Sequence, residues 1–438
     1  MPHARSLLAA VLAGLALATT ALTALGAPAQ ASHARRVAAP LLGVNISAIG
    51  PAPLATADAD IRDALALHAK VIRTQVPWSE LEPSGPGSLE PVALAFMDRI
   101  VSDAAADHIG VILLLDSSPC WASSAPPSVL DSCAPGFTAA NGYPPANPGD
   151  FATFASFLAQ RYGTRVTAIE VWNEPDQANE HFFAGPEKAK RYAALLRVAY
   201  PAIKAVDPGV LVLAGSLVGS NGIFLRDLYA AGIKGYYDGL SVHYYNLTLA
   251  SLRSIRAVQL QNGDTKPLWL DEFGWSSCYP RENIEAEQAC VTPSVQAANL
   301  TNTVRAIVRS GYVAAAVVYQ LHDYPEEDFG VLSTSGARKP AFSALARVFS
   351  SPFGPVSAPT LSLRLHAGHV LASGSGPVSD FLVLEVRKAR VLRYKASIVL
   401  DRFDRFSLAL PSVLGTSGLQ VRIYQPWAGR GSATVREI

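Results

Sequence analysis

Two stretches of the chain set carboxylates where a buried strand ends. In "AIEVWNEPD" (Ala168–Asp176) the β-forming Ile169 and Val171 run straight into Trp172, Asn173, Glu174 and Pro175. In "PLWLDEFGW" (Pro267–Trp275) an apolar run meets Glu272. Two carboxylates brought to one opening can share a displacement. One, protonated, donates to a leaving oxygen; the other, ionised, attacks an anomeric carbon, as glycoside hydrolysis requires. Close approach of two such groups raises the pKa of one, which supplies the acid.

Other polar residues gather at the ends of apolar runs. Arg73 lies in "KVIRTQV", His243 and Tyr245 in "GLSVHYYN", and Gln320, His322 and Asp323 close "AAAVVYQLHD". In an extended strand successive side chains alternate. Ser241, His243 and Tyr245 therefore share a face, with Leu240 and Val242 on the other. The same rule puts Leu268, Leu270 and Glu272 together and turns Asp271 outward, with no role assigned.

These residues need a scaffold that brings strand ends to one place. Eight β-rich runs recur between Leu41 and Asp323, separated by helical stretches such as Ala59–Ala69, Val92–His108, Pro148–Tyr162 and Glu187–Val206. Strand-then-helix repetition implies parallel strands, and eight units fit an α/β fold of the (β/α)8 TIM barrel type over residues 41–350. An open doubly wound sheet would bring a glycine-rich phosphate turn after its first strand, and "VNISAIGPAP" is not one. In such a barrel, active groups sit at the C-terminal ends of the strands. After the Pro/Ser/Gly-rich "SPFGPVSAPT", short β-type runs read as a small all-β, sandwich-like domain over residues 356–438.

The remaining features bound the setting. The chain has 438 residues and a formal net charge of +1 with no basic run, which argues against a nucleic-acid or polyanion partner. A basic start at His3 and Arg5, an apolar run from Ser6 to Gly26, and small residues at Ala29 and Ala31 read as a signal peptide (1–31) cleaved before Ser32. An uncleaved membrane tether is the rival, and both readings put the protein outside the cytoplasm. Four cysteines allow three pairings; the local ones, Cys120–Cys133 and Cys278–Cys290, are favoured because each falls within one loop. Neither pair has C-x-x-C spacing, so no zinc site is expected. Trp78, Trp121, Trp275 and Tyr279 follow strands on the catalytic side, and Trp78 and Trp275 are taken as sugar-stacking candidates.

The combination resembles the retaining (β/α)8 glycoside hydrolases of the 4/7 superfamily (clan A). "VWNEP" ends the fourth strand run and a Glu ends the seventh. "RTQVPWSELEPSGPG" and "LHDYPEEDFGVLSTSGARKPAF" are similar to segments of family 39 and family 5-like secreted bacterial enzymes. The resemblance implies Glu174 as acid/base and Glu272 as nucleophile. It implies Asn173 at the sugar 2-hydroxyl, Arg73 and Tyr245 supporting Glu272, and His243 as the tyrosine's companion. Many relatives carry Trp at the end of strand eight, where this chain has Tyr319 and Gln320; Gln320 is placed among the substrate-binding residues. The expected protein is a secreted retaining β-glycosidase acting on an oligo- or polysaccharide, with no metal, organic cofactor or obligatory protein partner. The alternatives are a carbohydrate-binding barrel that does not cut, or a transglycosylase using the same two Glu.

Overall fold

The computed structural model describes residues 39–134, 138–179, 181–245, 248–279, 290–352, 358–376, 381–401, 405–424 and 433–438. The leader assigned to residues 1–31 lies outside them. Among the described residues, no helix is long and apolar enough to cross a membrane.

Eight parallel strands close into a barrel in sequence order. They are β1 (Leu41–Asn45), β2 (Val71–Pro77), β3 (Gly110–Asp116), β4 (Ala168–Val171), β5 (Leu211–Leu217), β6 (Gly239–His243), β7 (Leu268–Phe273) and β8 (Val313–Val318). The helices on the connections are α1 (Leu54–Ala66), the short α2 (Trp78–Leu81), α3 (Pro91–Ala106), the short α4 (Pro127–Leu130), α5 (Pro148–Tyr162), α6 (Lys188–Val206), α7 (Ile223–Ala230), α8 (Thr248–Gln261), α9 (Pro293–Ser310) and α10 (Pro340–Ser350). Local sequence sets several ends. Proline occupies the first position of α3, α5 and α9, where its missing N–H costs no hydrogen bond. Asn147 and Thr292 cap α5 and α9 by accepting from Gly149 and Val295 N–H. Helix α1 starts five residues before the predicted Ala59. Its buried face, Ala57, Asp60, Ile61 and Ala64, is too short in side chain and too polar to show as an apolar stripe.

The barrel core is built on a period of two. Val71, Ile112, Ala168, Leu213, Trp269 and Ala315 fill the interior, while Ile72, Leu113, Ile169, Leu240, Leu268 and Leu270 join the larger core under the helices. Two residues further along three of these strands the interior changes character. Val71 gives way to Arg73, Ala168 to Glu170 and Trp269 to Asp271, all buried. An apolar plug thus carries a charged layer facing the C-terminal mouth.

The alternation predicted for β7 is reversed by this register. Leu268 and Leu270 face the helices, and Trp269 and Asp271 face inward. Glu272 still reaches the mouth because β7 holds one extra residue. Leu270 pairs with Val242 and Glu272 with His243 on β6, and on the other side β7 advances three residues while β8 advances two. This β-bulge lets consecutive acids, Asp271 and Glu272, point the same way. A second bulge lies in β5 between Ala214 and Leu217. There Gly215 has φ +115°, and a Cβ would stand 2.6 Å from Ser241 O. That bend aims Ser216 at the charged layer.

Beyond the barrel lie two antiparallel sheets. One orders β13 (Arg405–Ala409), β10 (His369–Ser375) and β9 (Ser362–His366). The other orders β12 (Val391–Val399), β11 (Phe381–Lys388), β14 (Leu419–Tyr424) and β15 (Ala433–Glu437). The all-β reading of this region holds. The long run after Asp380 folds as a hairpin, turning at Ala389 and Arg390, both left-handed. Leu382, Leu384 and Val386 on β11 and Val421 and Ile423 on β14 anchor its separate core.

Disulfides join Cys120 to Cys133 in the connection after β3 and Cys278 to Cys290 in that after β7. Cys278 and Cys290 are buried, whereas Cys120 and Cys133 are half-buried. Mild reduction followed by iodoacetamide and peptide mass spectrometry should label Cys120 and Cys133 first. Simultaneous labelling of all four would contradict that order.

Candidate active site

The site begins with how β4 ends. Trp172 (φ +69°) and Glu174 (φ +42°) both adopt the left-handed conformation, which non-glycine residues hold only where surroundings enforce it. Trp172 turns outward into the aromatic core, edge-on to Phe183, with its ring N–H on Phe182 O at 2.5 Å. Tyr192 of α6 secures the strand beneath, donating to Val171 O at 2.6 Å and accepting from Gly215 N–H at 2.7 Å. The sharp turn leaves Asn173 and Glu174 facing the mouth, where a cavity of about 290 Å³ opens.

Arg73 is the hub beneath it. The guanidinium, 2 % exposed, donates from Nε to Glu170 at 2.7 Å and from Nη1 to Glu272 at 2.6 Å and Asn45 at 3.0 Å. Asp271 lies 3.4 Å from Nε, and Asn173 Oδ1 lies 3.4 Å from Nη2. Tyr245 OH donates to the second oxygen of Glu272. His243 places Nδ1 2.9 Å from Glu174 Oε1 and 3.4 Å from Glu272 Oε2, so it touches both carboxylates. One oxygen of Glu174, one of Glu272 and the His243 nitrogen all lie within 4.8 Å of one another.

The buried charges set one another's protonation. Burial opposes the charge on Arg73, but Glu170, Glu272 and Asp271 hold its pKa well above the ordinary value. Burial likewise pushes His243 down, and Glu272, Asp271 and Glu174 outweigh it, holding the imidazole well above the ordinary histidine range. Arg73 Nη2, 3.4 Å from His243 Nε2, works against that second positive charge without overcoming the carboxylates. Burial pushes Glu170 up to about 7 despite Arg73, and its Oε1 accepts from Ser216 OH. Asp271 goes the other way: burial would raise it, and His243, Glu170 and Arg73 bring it below the usual carboxylate range. Glu170–His243–Asp271 and Glu174–His243–Glu272 are each tight enough to share an ion. Set between these carboxylates and beside Arg73, His243 links both groups into one charge network.

Folded Glu170 keeps a proton that the unfolded chain has released by about pH 4.5. Its contribution to stability is complete below that pH and lost as the pH rises through about 7. The melting temperature of the native protein relative to Glu170→Gln should therefore fall across that window. A difference that stays flat in thermal melts from pH 4.5 to 7.5 would refute this.

The structure brings Arg73, Asn173, Glu174, His243, Tyr245, Glu272 and Gln320 to one place, all but His243 lining the cavity. Trp78 and Trp275 are corrections: neither lines it. Trp78 is wholly buried, stacked on Phe154 at 5.4 Å with its ring N–H on Glu82 at 2.7 Å. Trp275 is 1 % exposed within the main core. A strand end exports a large aromatic to the helix layer as readily as to the mouth, which a residue's position after a strand does not reveal. The aromatic walls are instead Tyr245, Tyr319, Tyr324, Phe182 and Phe329. Sequence reasoning missed Glu170, although Ile169 and Val171 facing the helices leave Glu170 facing inward. It missed Asp271 because the bulge breaks the alternation.

A family model described as "Cellulase (glycosyl hydrolase family 5)" matches residues 33–344. A comparison with curated protein sequences returns no match. Among solved structures, the chain is similar to a family 39 enzyme from Xanthomonas axonopodis pv. citri: TM-score 0.53, 14% identity, covering 86% of this chain and 93% of that one. A family 39 β-xylosidase from Caulobacter crescentus gives 0.54 and 17% identity, covering 86% and 97%. An endo-β-1,4-mannanase from Thermotoga petrophila gives 0.52 and 13%, covering 91% and 97%. At these identities the likeness is one of fold.

Proposed function

The chain belongs to glycosyl hydrolase family 5, the cellulase family, and on that premise we propose that it is a secreted β-glycosidase that retains anomeric configuration. It is a glycoside hydrolase; the retaining course, the residue roles and the compartment are the proposed part. The observation that carries the mechanism is the approach of Glu174 and Glu272, with oxygens within 4.8 Å. Retaining enzymes hold their carboxyl groups about 5–5.5 Å apart, whereas inverting ones leave about 6.5–9.5 Å for a water.

Glu272 attacks the anomeric carbon as a carboxylate. The bond to the leaving oxygen breaks, and that oxygen takes the proton of Glu174. In the second half, Glu174 removes a proton from water, the water oxygen bonds to the anomeric carbon, and Glu272 leaves. Arg73 and Tyr245 grip both oxygens of Glu272, which fixes the attacking lone pair. His243 orients Glu174 through Nδ1. Asn173, next to Glu174 in the chain and on the wall of the same cavity, is assigned to a hydroxyl next to the reacting carbon. Two disulfides and the leader-like start support work in an oxidising compartment outside the cytoplasm.

Intact-protein mass spectrometry with 2-deoxy-2-fluoro β-glycosides tests this. Their fluorine slows release of the covalent intermediate. The panel should include xylosides and mannosides, the sugars acted on by two proteins of the same fold. A sugar-sized gain on Glu272, absent in Glu272→Gln, is expected. Hydrolysis with inversion of the product, seen by proton NMR, would sink the retaining mechanism.

A further inference from the structure

Gln75 lines the same cavity one layer above Arg73. It stands two residues past Arg73 on β2, so strand alternation turns both inward. Leu114, its neighbour on β3, lines the opening beside it. The backbone of Gln75 is fixed by the loop after β1, where Ile49 N–H donates to Gln75 O at 2.7 Å. The side chain is fixed from the other side: amide Nε2 donates to Asp116 Oδ2 at 2.8 Å. The proposed acid–base chemistry uses neither Gln75 nor Asp116.

Asp116 decides which end of that amide is turned away from it. It closes β3, is 2 % exposed, and accepts a second hydrogen bond at Oδ1 from Ser117 OH at 3.1 Å. Burial pushes its carboxyl up to about 6, with the bonds from Gln75 and Ser117 and the charge of Arg73 working against the rise. At pH 7 the group is a carboxylate, which only accepts. The NH2 end of Gln75 must then face it, because the turned-over amide would set a carbonyl oxygen against a negative charge. The carbonyl oxygen Oε1 is left for the cavity, and among the described residues it accepts no hydrogen bond. A sugar hydroxyl can donate or accept, and here it meets an end of the amide that only accepts.

We propose that Gln75 is a specificity-determining residue whose carbonyl oxygen accepts a hydrogen bond from one hydroxyl of the bound sugar, and that Asp116 is the positioning residue that holds the amide in this orientation. The inference rests on the reading of this cavity as the place where the sugar meets Glu272.

The test takes the 4-nitrophenyl β-glycoside that the enzyme hydrolyses, from the glucoside, mannoside and xyloside, together with its monodeoxyfluoro forms at C3, C4 and, where present, C6. Fluorine is close to hydroxyl in size but has no hydrogen to donate. It also slows the chemistry itself, equally in the native enzyme and its variants. The quantity read at pH 7 is therefore the change in the fluorine penalty on kcat/KM from native enzyme to variant. At one position that penalty should shrink at least about fivefold in Gln75→Met, the factor that one neutral hydrogen bond contributes. The other positions should keep theirs. Asp116→Asn leaves Gln75 in place but can meet either end of its amide, so the freed NH2 can turn to the fluorine. The penalty at the same position should then shrink at least about threefold. A merely structural role for Asp116 would alter all positions alike. Circular dichroism checks folding, and Gln75→Leu and Asp116→Ser stand in for a variant that fails it. A set of penalties that ignores Gln75→Met would overturn the proposal. So would a penalty that stays whole in Asp116→Asn. No turnover of any parent glycoside, with no fluoroglycoside label on Glu272, would sink the reading of the cavity and this inference with it. A Glu272 label without the expected change in penalty would sink this inference alone.

Discussion

Replacing Glu272 with Ala should lower kcat on aryl β-glycosides by on the order of 10⁴-fold or more, because it removes the carboxylate proposed to form the covalent intermediate. Glu174→Ala should behave differently. The loss should reach about 10²–10⁴-fold for a poor leaving group that needs a proton. It should be far smaller for dinitrophenolate, which departs without one. Added azide sharpens the contrast. With Glu272→Ala it should attack from the vacated face and give the glycosyl azide of inverted configuration. With Glu174→Ala it should attack the intermediate on Glu272 and give the retained azide. NMR of the two products decides the roles, and swapped products would exchange the assignments. Both carboxylates are nearly buried and share His243, so each variant needs a folding check before its rate is read.

The second large effect is on stability. Arg73→Met leaves Glu170, Asp271 and Glu272 in the barrel without their common cation. Removing one partner of a buried ion pair costs about 3–5 kcal/mol, since the other charge stays desolvated and unpaired. Urea denaturation at pH 7 should show a loss of that order, and Glu170→Gln in the same chain should recover part of it. Arg73→Lys should not rescue the loss, because one ammonium cannot meet Glu170 through Nε and Glu272 through Nη1 together. A loss under about 1 kcal/mol would mean that water or protonation replaces the guanidinium.

Much of this was legible in the sequence because strand rhythm and strand ends carry the signal. The eight runs are the eight barrel strands, and Arg73, Asn173, Glu174, His243, Tyr245 and Glu272 stand in or just past those runs, where the sequence marks them as polar residues ending apolar strands. Alternation placed Ser241 and His243 inward and Leu240 and Val242 under the helices, as β6 has them. Alternation failed where the backbone departs from a regular strand. The extra residue in β7 hides the inward turn of Asp271, and the bend at Gly215 hides that of Ser216. The aromatic assignments failed for another reason. Trp78 and Trp275 satisfy the hydrophobic demand of loops packed on the barrel, and composition cannot tell a ring that packs a loop from one that stacks on sugar. Glu327, which also lines the cavity, sits in a turn with Tyr324 after β8, where no period marks which way a side chain faces.

The bulge in β7 also limits how this chain can change in length over evolutionary time. Substitutions at Leu270 or Phe273 leave the spacing of the two acids intact. Loss of either acid would remove the extra residue that lets Asp271 and Glu272 both face inward. The strand would then return to regular alternation and present a single acid to the mouth. Loops around the barrel can lengthen or shorten without touching this spacing. Descendants of the sequence should therefore vary freely in loop length while the count of residues from Leu268 to Phe273 stays fixed.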